Sequence, residues 1–248
     1  MLTTVLLAFV GAASATFTLS GADGSLATVY TSCKNEGEVA LTFDDGPYKW
    51  IKNISDTVTA AGGNCTFFVN GLNWDCIYDP AQQDGLKYAY GMGHQIGSHT
   101  WSHADLTNVT DAQMDSEFTK NDLAITRILG ATPAFMRPPY GSYNDAVREA
   151  AAQHGKTLII WDLDSGDSTG SNVSTSKAVY DKGKMSPTGN ILALNHETSA
   201  TTVTDVLPYA LQILAAYKYK FVTVAQCLNM DPYTSITEPG TPDYTWHC

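Results

Sequence analysis

Positive charge is scarce in this sequence. Its 248 residues hold 14 Lys and Arg against 25 Asp and Glu, a formal net charge of −11. Nucleic acid and anionic membrane both call for clustered cations, so neither is an expected partner, and a neutral or cationic one fits better. Beyond the N-terminus no stretch reaches the ~18 uninterrupted apolar residues of a membrane span. There is no C-x-x-C, which removes zinc-finger and thioredoxin-like readings. There is no G-x-G-x-x-G and no P-loop, so a nucleotide site lacks support. Internal repeats and low-complexity linkers are also missing, and a single domain is expected.

What is present starts with M-L-T-T-V-L-L-A-F-V-G-A-A-S-A, fifteen residues without a charge that end in small side chains. Ala13-Ser14-Ala15 matches an A-x-A cleavage site, so residues 1–15 read as a secretory signal peptide, the alternative being a buried N-terminal segment. The mature domain is then 16–248, secreted or in the cell wall. Five cysteines suit that oxidising setting, with one left over. Cys33 precedes the first core strand and Cys227 follows the last, so their bridge would close the two ends of the fold. Cys76 with Cys248 is a second pairing, which leaves Cys65 as a free buried thiol. Sequons at Asn53, Asn64, Asn108 and Asn172 are compatible with a glycoprotein.

Apolar runs recur at Val39–Phe43, Cys65–Val69, Gln95–Ser98, Ala134–Arg137, Thr157–Trp161, Asn190–Leu194 and Phe221–Val224. Helix-like stretches separate them at Lys49–Ala61, Asp111–Leu129, Asn144–His154 and Val203–Tyr217. Strands alternating with helices predict an α/β fold with a parallel sheet, and seven such units predict a barrel or near-barrel.

Chemistry in such folds gathers where strands end. Here the first run ends in Asp44-Asp45, the third in His99-Thr100-Trp101-Ser102-His103, and the fourth in Arg137-Pro138-Pro139-Tyr140. The fifth ends in Asp162, Asp164 and Asp167, and the sixth in Asn195-His196-Glu197. His99 and His103 are spaced to share one face of a helical turn, where both imidazoles could reach one ion. A strand-end carboxylate would complete a His-His-Asp set with an open fourth position, suited to zinc, or to cobalt or nickel. The two histidines could equally be solvent residues, and Asp44-Asp45 an ordinary turn. Trp74 and Trp101 could be sugar platforms or packing aromatics. His94, His154 and His247 belong to no motif.

Taken in order, T-F-D-D-G-P, H-T-W-S-H, R-P-P-Y, D-S-G-D and L-N-H resemble the five signature motifs of the family-four carbohydrate esterases, the polysaccharide deacetylases. The resemblance runs from about Val39 to Val224, and F-F-V-N-G-L-N-W with the flanking cysteines looks most like secreted fungal members that act on chitin. It implies a distorted seven-stranded (β/α) barrel and metal-dependent hydrolysis of N-acetyl groups from chitin or chito-oligosaccharides by a monomer. By the same resemblance Asp45, His99 and His103 hold the metal, Zn2+ first and Co2+ second. Asp44 is the base, oriented by Arg137, and His196 is the acid, tuned by Asp167. The Tyr140 backbone N–H serves the oxyanion, and Leu194 lines the acetyl pocket, with Trp74 as a further sugar contact. Two departures stand out. Ser168 follows Asp167 where the family has an aromatic residue, so Trp161 is a candidate for the missing wall. Asn195 and Glu197 flank His196, where Asp commonly follows it. Among Asp162, Asp164 and Asp167 the tuning carboxylate stays open. Rival readings are an acetylxylan or peptidoglycan deacetylase of the same family, and a non-catalytic carbohydrate-binding protein.

Overall fold

The computed structural model describes residues 25–182 and 189–248, so the leader-like segment 1–15 lies outside the described residues. In chain order the strands are β1 (Val29–Tyr30), β2 (Glu38–Gly46), β3 (Thr66–Val69), β4 (Gln95–Ser98), β5 (Ala131–Pro133), β6 (Phe135–Met136), β7 (Thr157–Ile159), β8 (Leu163–Asp164), β9 (Ile191–His196), β10 (Lys220–Phe221) and β11 (Tyr233–Ile236). The α-helices are α1 (Ile51–Ala60), α2 (Pro80–Gly91), α3 (Asp111–Leu129), α4 (Asp145–Gln153), α5 (Val173–Lys182), α6 (Leu207–Ala216) and α7 (Val224–Leu228).

Eight strands form a curled parallel sheet in the order β1-β7-β6-β4-β3-β2-β9-β8, with β10 beside the start of β2. The expected distorted barrel is therefore present in one domain. The seven apolar runs each supply a strand, and the short β1 and β8 join them. Strand β2 is the axis of the sheet. Every side chain from Val39 to Asp44 is buried, as a parallel strand covered on both faces must be. Its register against β9 sets Asp44 level with His196, and against β3 it sets Asp44 level with Phe68.

The ring closes in an unusual way. β7 pairs with β6 and β1, whereas β8, four residues on, pairs with β9. One extended run thus crosses the gap between the sheet's two ends, with Ile160 N–H donating to Tyr30 O (2.8 Å) and Asp162 N–H to Leu192 O (3.1 Å). The Ile159 and Ile160 carbonyls along this seam accept from Arg137 Nε (3.2 Å) and Nη2 (2.9 Å). A buried backbone carbonyl needs a partner, and here a side chain supplies it.

Helix α3 matches its expected span, with a Thr110–Gln113 capping box at one end and left-handed Gly130 (φ 73°) at the other. Helix α4 falls in the expected Asn144–His154 stretch, and the Asn144 side chain caps it by accepting from Val147 N–H. The Val203–Tyr217 stretch begins as an irregular turn, Thr202–Val206, before α6. The last apolar run is strand only at Phe221, because Thr223 caps α7 with its own capping box. Helices α2 and α5 carry no clear apolar stripe: the buried face of α2 includes Gln82 and Gly85, and a Cβ at Gly85 would lie 2.5 Å from Ile51.

Bridges join Cys33 to Cys227 and Cys76 to Cys248, and Cys65 is a free, fully buried thiol. Asn53, Asn108 and Asn172 are exposed, while Asn64 is half-buried with its amide donating to Met92 O (3.1 Å).

Candidate active site

The C-terminal ends of β2, β4, β6 and β9 open onto a cavity of about 400 Å³ whose wall includes Asp44, Asp45, His99, His103, Leu194 and His196. Two carboxylates side by side reach it because β2 breaks its pleat there. The register with β3 shifts between Asp44 and Gly46, and Asp45 sits at φ 73°. This bulge, not simple alternation, gives the two acids different surroundings.

Asp44 is 2% exposed. Its Oδ1 accepts from Arg137 Nη1 at 2.8 Å, and the same Nη1 reaches Thr42 Oγ1 at 2.6 Å. Burial pushes the Asp44 carboxyl up from its ordinary value, while the Arg137 guanidinium pulls against that rise. The result is a carboxylate held in one orientation with its second oxygen directed toward His99, Oδ2 to Nε2 being 3.8 Å.

Asp45, His99 and His103 form a second group. Asp45 Oδ1 lies 3.6 Å from His99 Nε2 and 3.3 Å from His103 Nε2. The helical-turn expectation for the histidines is corrected: β4 ends at Ser98, and the chain doubles back through Thr100 (φ 71°) and His103 (φ 59°). Their spacing works through a tight loop, which brings the two rings to 4.9 Å between centroids. The donor chemistry fits a divalent cation. His99 Nδ1 is engaged with Arg137 O at 2.7 Å, and burial lowers its imidazolium to about 3, so Nε2 presents a lone pair toward Asp45. Asp45 Oδ1 is buried without a hydrogen-bond partner. Ligands about 2.1 Å from a tetrahedral zinc lie roughly 3.4 Å apart, close to the 3.6 and 3.3 Å from Asp45 Oδ1 to the two histidine nitrogens.

Across the cavity, His196 Nδ1 pairs with Asp167 Oδ1 at 2.7 Å. Asp167 Oδ2 accepts from the His196 N–H (2.8 Å) and from Thr202 Oγ1 (2.6 Å). Burial acts to lower the His196 pKa, but the bond to Asp167 and the negative charge of Asp44 outweigh it and carry it up to about 9. Of the three acids crowded here, Asp167 is the one whose side chain contacts His196. Asp162 Oδ1 accepts from Leu192 N–H and Asp164 Oδ1 from Gly166 N–H.

The remaining expected residues divide. Tyr140 is 68% exposed at φ 61°, its ring 4.7 Å from His103, and Leu194 and Trp161 both line the cavity. Trp74 lies outside the cavity wall, 55% exposed, with its ring 5.6 Å from Tyr48. Trp101 packs against Gly71, where a Cβ would lie 1.9 Å from its ring, and it is absent from the cavity wall. His94 is buried beside Cys65, His154 stacks on Phe118, and His247 is exposed, all away from the site. One residue carried no catalytic expectation. Glu197 is buried with its pKa raised by burial to about 8, its Oε1 accepts from Tyr48 N–H at 2.6 Å, and a Cβ at Gly46 would strike its carboxylate.

Residues 31–159 match the polysaccharide deacetylase family. The chain belongs to that family. Its relatives include a chitin deacetylase of Pestalotiopsis sp, 35% identical over 82% of this chain and 67% of that protein. A chitin deacetylase of Colletotrichum lindemuthianum is 30% identical over 83% of this chain and 85% of the relative. The peptidoglycan-N-acetylglucosamine deacetylase PgdA of Listeria monocytogenes is 32% identical over 77% of this chain, which spans 39% of that protein. Among solved structures, the chitin deacetylase of Colletotrichum lindemuthianum superposes with a TM-score of 0.81 at 27% identity, covering 89% of this chain and 99% of that one. As a polysaccharide deacetylase domain, the chain is a hydrolase of the deacetylase class.

Proposed function

We propose that this protein hydrolyses N-acetyl groups from N-acetylglucosamine units of chitin or chito-oligosaccharides, leaving free amines and acetate. One observation carries the reading. An acid and a base, each held by its own partner, face the same cavity at one level of the sheet, beside a His-His-Asp donor set.

Amide hydrolysis needs an activated nucleophile, a stabilised oxyanion and a protonated leaving group. Asp45, His99 and His103 would hold a divalent cation, zinc by ligand type, which when bound would supply Lewis-acid activation of the water and of the acetyl carbonyl. Asp44, oriented by Arg137 whose charge favours its ionised form, takes the proton from the attacking water. The Tyr140 backbone N–H donates to the developing oxyanion, support commonly worth ~3–4 kcal/mol. His196 protonates the departing amine, and a pKa of about 9 keeps that proton in place at neutral pH. Leu194 accommodates the acetyl methyl group, and Trp74 with Tyr48 offers aromatic faces to a neighbouring sugar.

The chitin deacetylase relatives favour this substrate, and two disulfides favour an extracellular setting. Among the described residues, no helix is long and apolar enough to cross a membrane. The test is incubation with a defined N-acetylglucosamine oligomer, with and without chelator, reading product mass. Loss of acetyl mass that stops with chelator and returns with zinc supports the proposal. Turnover indifferent to chelation sinks the mechanism. Activity on peptidoglycan or acetylated xylan but not on the oligomer moves the substrate elsewhere within the family.

A further inference from the structure

Asn70, the residue after β3, stands where the segments bearing the cation ligands meet. It is 1% exposed. Its backbone N–H donates to Gly46 O at 2.7 Å, one peptide beyond Asp45. Its side-chain amide donates to His99 O and, at 3.0 Å, to Thr100 O. Its Oδ1 accepts from Asn73 Nδ2 at 3.2 Å, which fixes the end of the amide that faces the two carbonyls.

The joined segments are those in which the backbone is least at ease. Of six non-glycine residues with positive φ among the described residues, three line the cavity, Asp45, His103 and Tyr140, and a fourth, Thr100, is buried in the loop between the two histidines. Thr100 is the most demanding, because a β-branched side chain disfavours the left-handed region, and its own buried Oγ1 has no hydrogen-bond partner. Such a conformation persists only where its surroundings over-determine it. A primary amide has two N–H donors, and here there are two carbonyls to receive them. A leucine would fill the space but offers neither bond, and a serine has one donor on a shorter stem.

We infer that Asn70 is a positioning residue of the cation site. Its amide locks the His99–Thr100 backbone in the turn that returns His103 to His99, and its N–H ties the same point to the peptide after Asp45. The inference rests on the reading of Asp45, His99 and His103 as ligands. It extends that reading outward, since groups that orient ligands tune a site nearly as strongly as the ligands do.

The experiment strips the protein of metal and titrates it with Co2+, following heat and visible absorption, for the wild type and Asn70→Ser, with the thermal midpoint of each metal-free protein measured alongside. The expected result is about 10–100-fold weaker Co2+ binding with a changed visible spectrum. Binding within about twofold of wild type with an unchanged spectrum overturns the inference, because a merely structural asparagine lowers the midpoint alone. If Asn70→Ser does not fold, Asn73→Ala decides. Residue 73 is exposed, and its loss frees the amide to turn over. Weaker Co2+ binding in that variant supports the role, and unchanged binding overturns it. A wild-type protein that takes up neither Co2+ nor Zn2+ overturns the ligand reading itself, and this inference with it.

Discussion

Replacing Asp167 by Asn tests the acid most directly. Asn keeps the size of the side chain but removes the charge that holds His196 protonated. In the native protein that imidazole has a pKa of about 9, so at pH 7.5 nearly all of it carries the proton. At the ordinary histidine value of about 6.5 only about one molecule in eleven would. Burial still opposes the charged form in the variant, and only the charges of Asp44 and Asp45 are left to offset it, so the pKa falls toward the ordinary value. The alkaline limb of kcat/KM, which reports groups of the free enzyme, should move down by about two pH units. Activity at pH 7.5 should drop roughly tenfold and recover most of its value near pH 5.5. The acidic limb, set by Asp44, should stay in place. Stability moves with the same linkage. A folded-state pKa above the unfolded one stabilises the protein below about pH 6.5, and that contribution is lost as pH rises through about 9. The difference in thermal midpoint between wild type and variant should therefore be largest near pH 6 and shrink by pH 10. Acetate release across this range, with parallel melting curves, makes the test. An alkaline limb that does not move would show that Asp167 does not set the acid, whatever the loss of rate.

Asp44→Asn should reduce turnover by about 10²–10⁴-fold while zinc content, read by elemental analysis, stays at the wild-type level; loss of zinc as well would contradict the split between Asp44 and Asp45. Trp74→Ala removes an exposed ring, so the melting temperature should hold within about 0.5 kcal/mol of stability while KM rises for long oligomers and kcat persists. Equal KM for short and long substrates would remove Trp74 from the binding path. Gly46→Ala would set a Cβ 1.8 Å from Glu197 Oε2, and overpacking of that kind should cost about 1–3 kcal/mol in denaturant unfolding. An unchanged midpoint would mean that Glu197 moves aside freely.

The site was legible to the extent that its chemistry follows apolar runs. Asp44, His99, Arg137 and His196 each stand at or near the end of a strand, and a polar ionisable group after a buried run is conspicuous in one dimension. The reason for their convergence was less legible. The His99–His103 spacing suggested a helical turn, yet the ligands meet through a left-handed loop that periodicity cannot announce. Three acids crowd residues 162–167; Asp162 accepts from the distant Leu192 N–H, Asp167 from the distant His196 N–H, and Asp164 from nearby Gly166, a division that needs the fold. Helix α2 hid for the opposite reason, its buried face being built partly from Gln82 and Gly85. Asn70 stands inside F-F-V-N-G-L-N-W yet draws no role from the sequence, because an asparagine after an apolar run looks like any strand-end turn.

Arg137 has a consequence for reading other sequences. Its guanidinium caps two carbonyls where the barrel's seam lacks a ladder, and it also steadies Asp44. Selection for a closed barrel and selection for catalysis therefore act on the same side chain. A relative that had lost its aspartate base would still gain from an arginine here, so that arginine alone is weak testimony that a chain is an active enzyme.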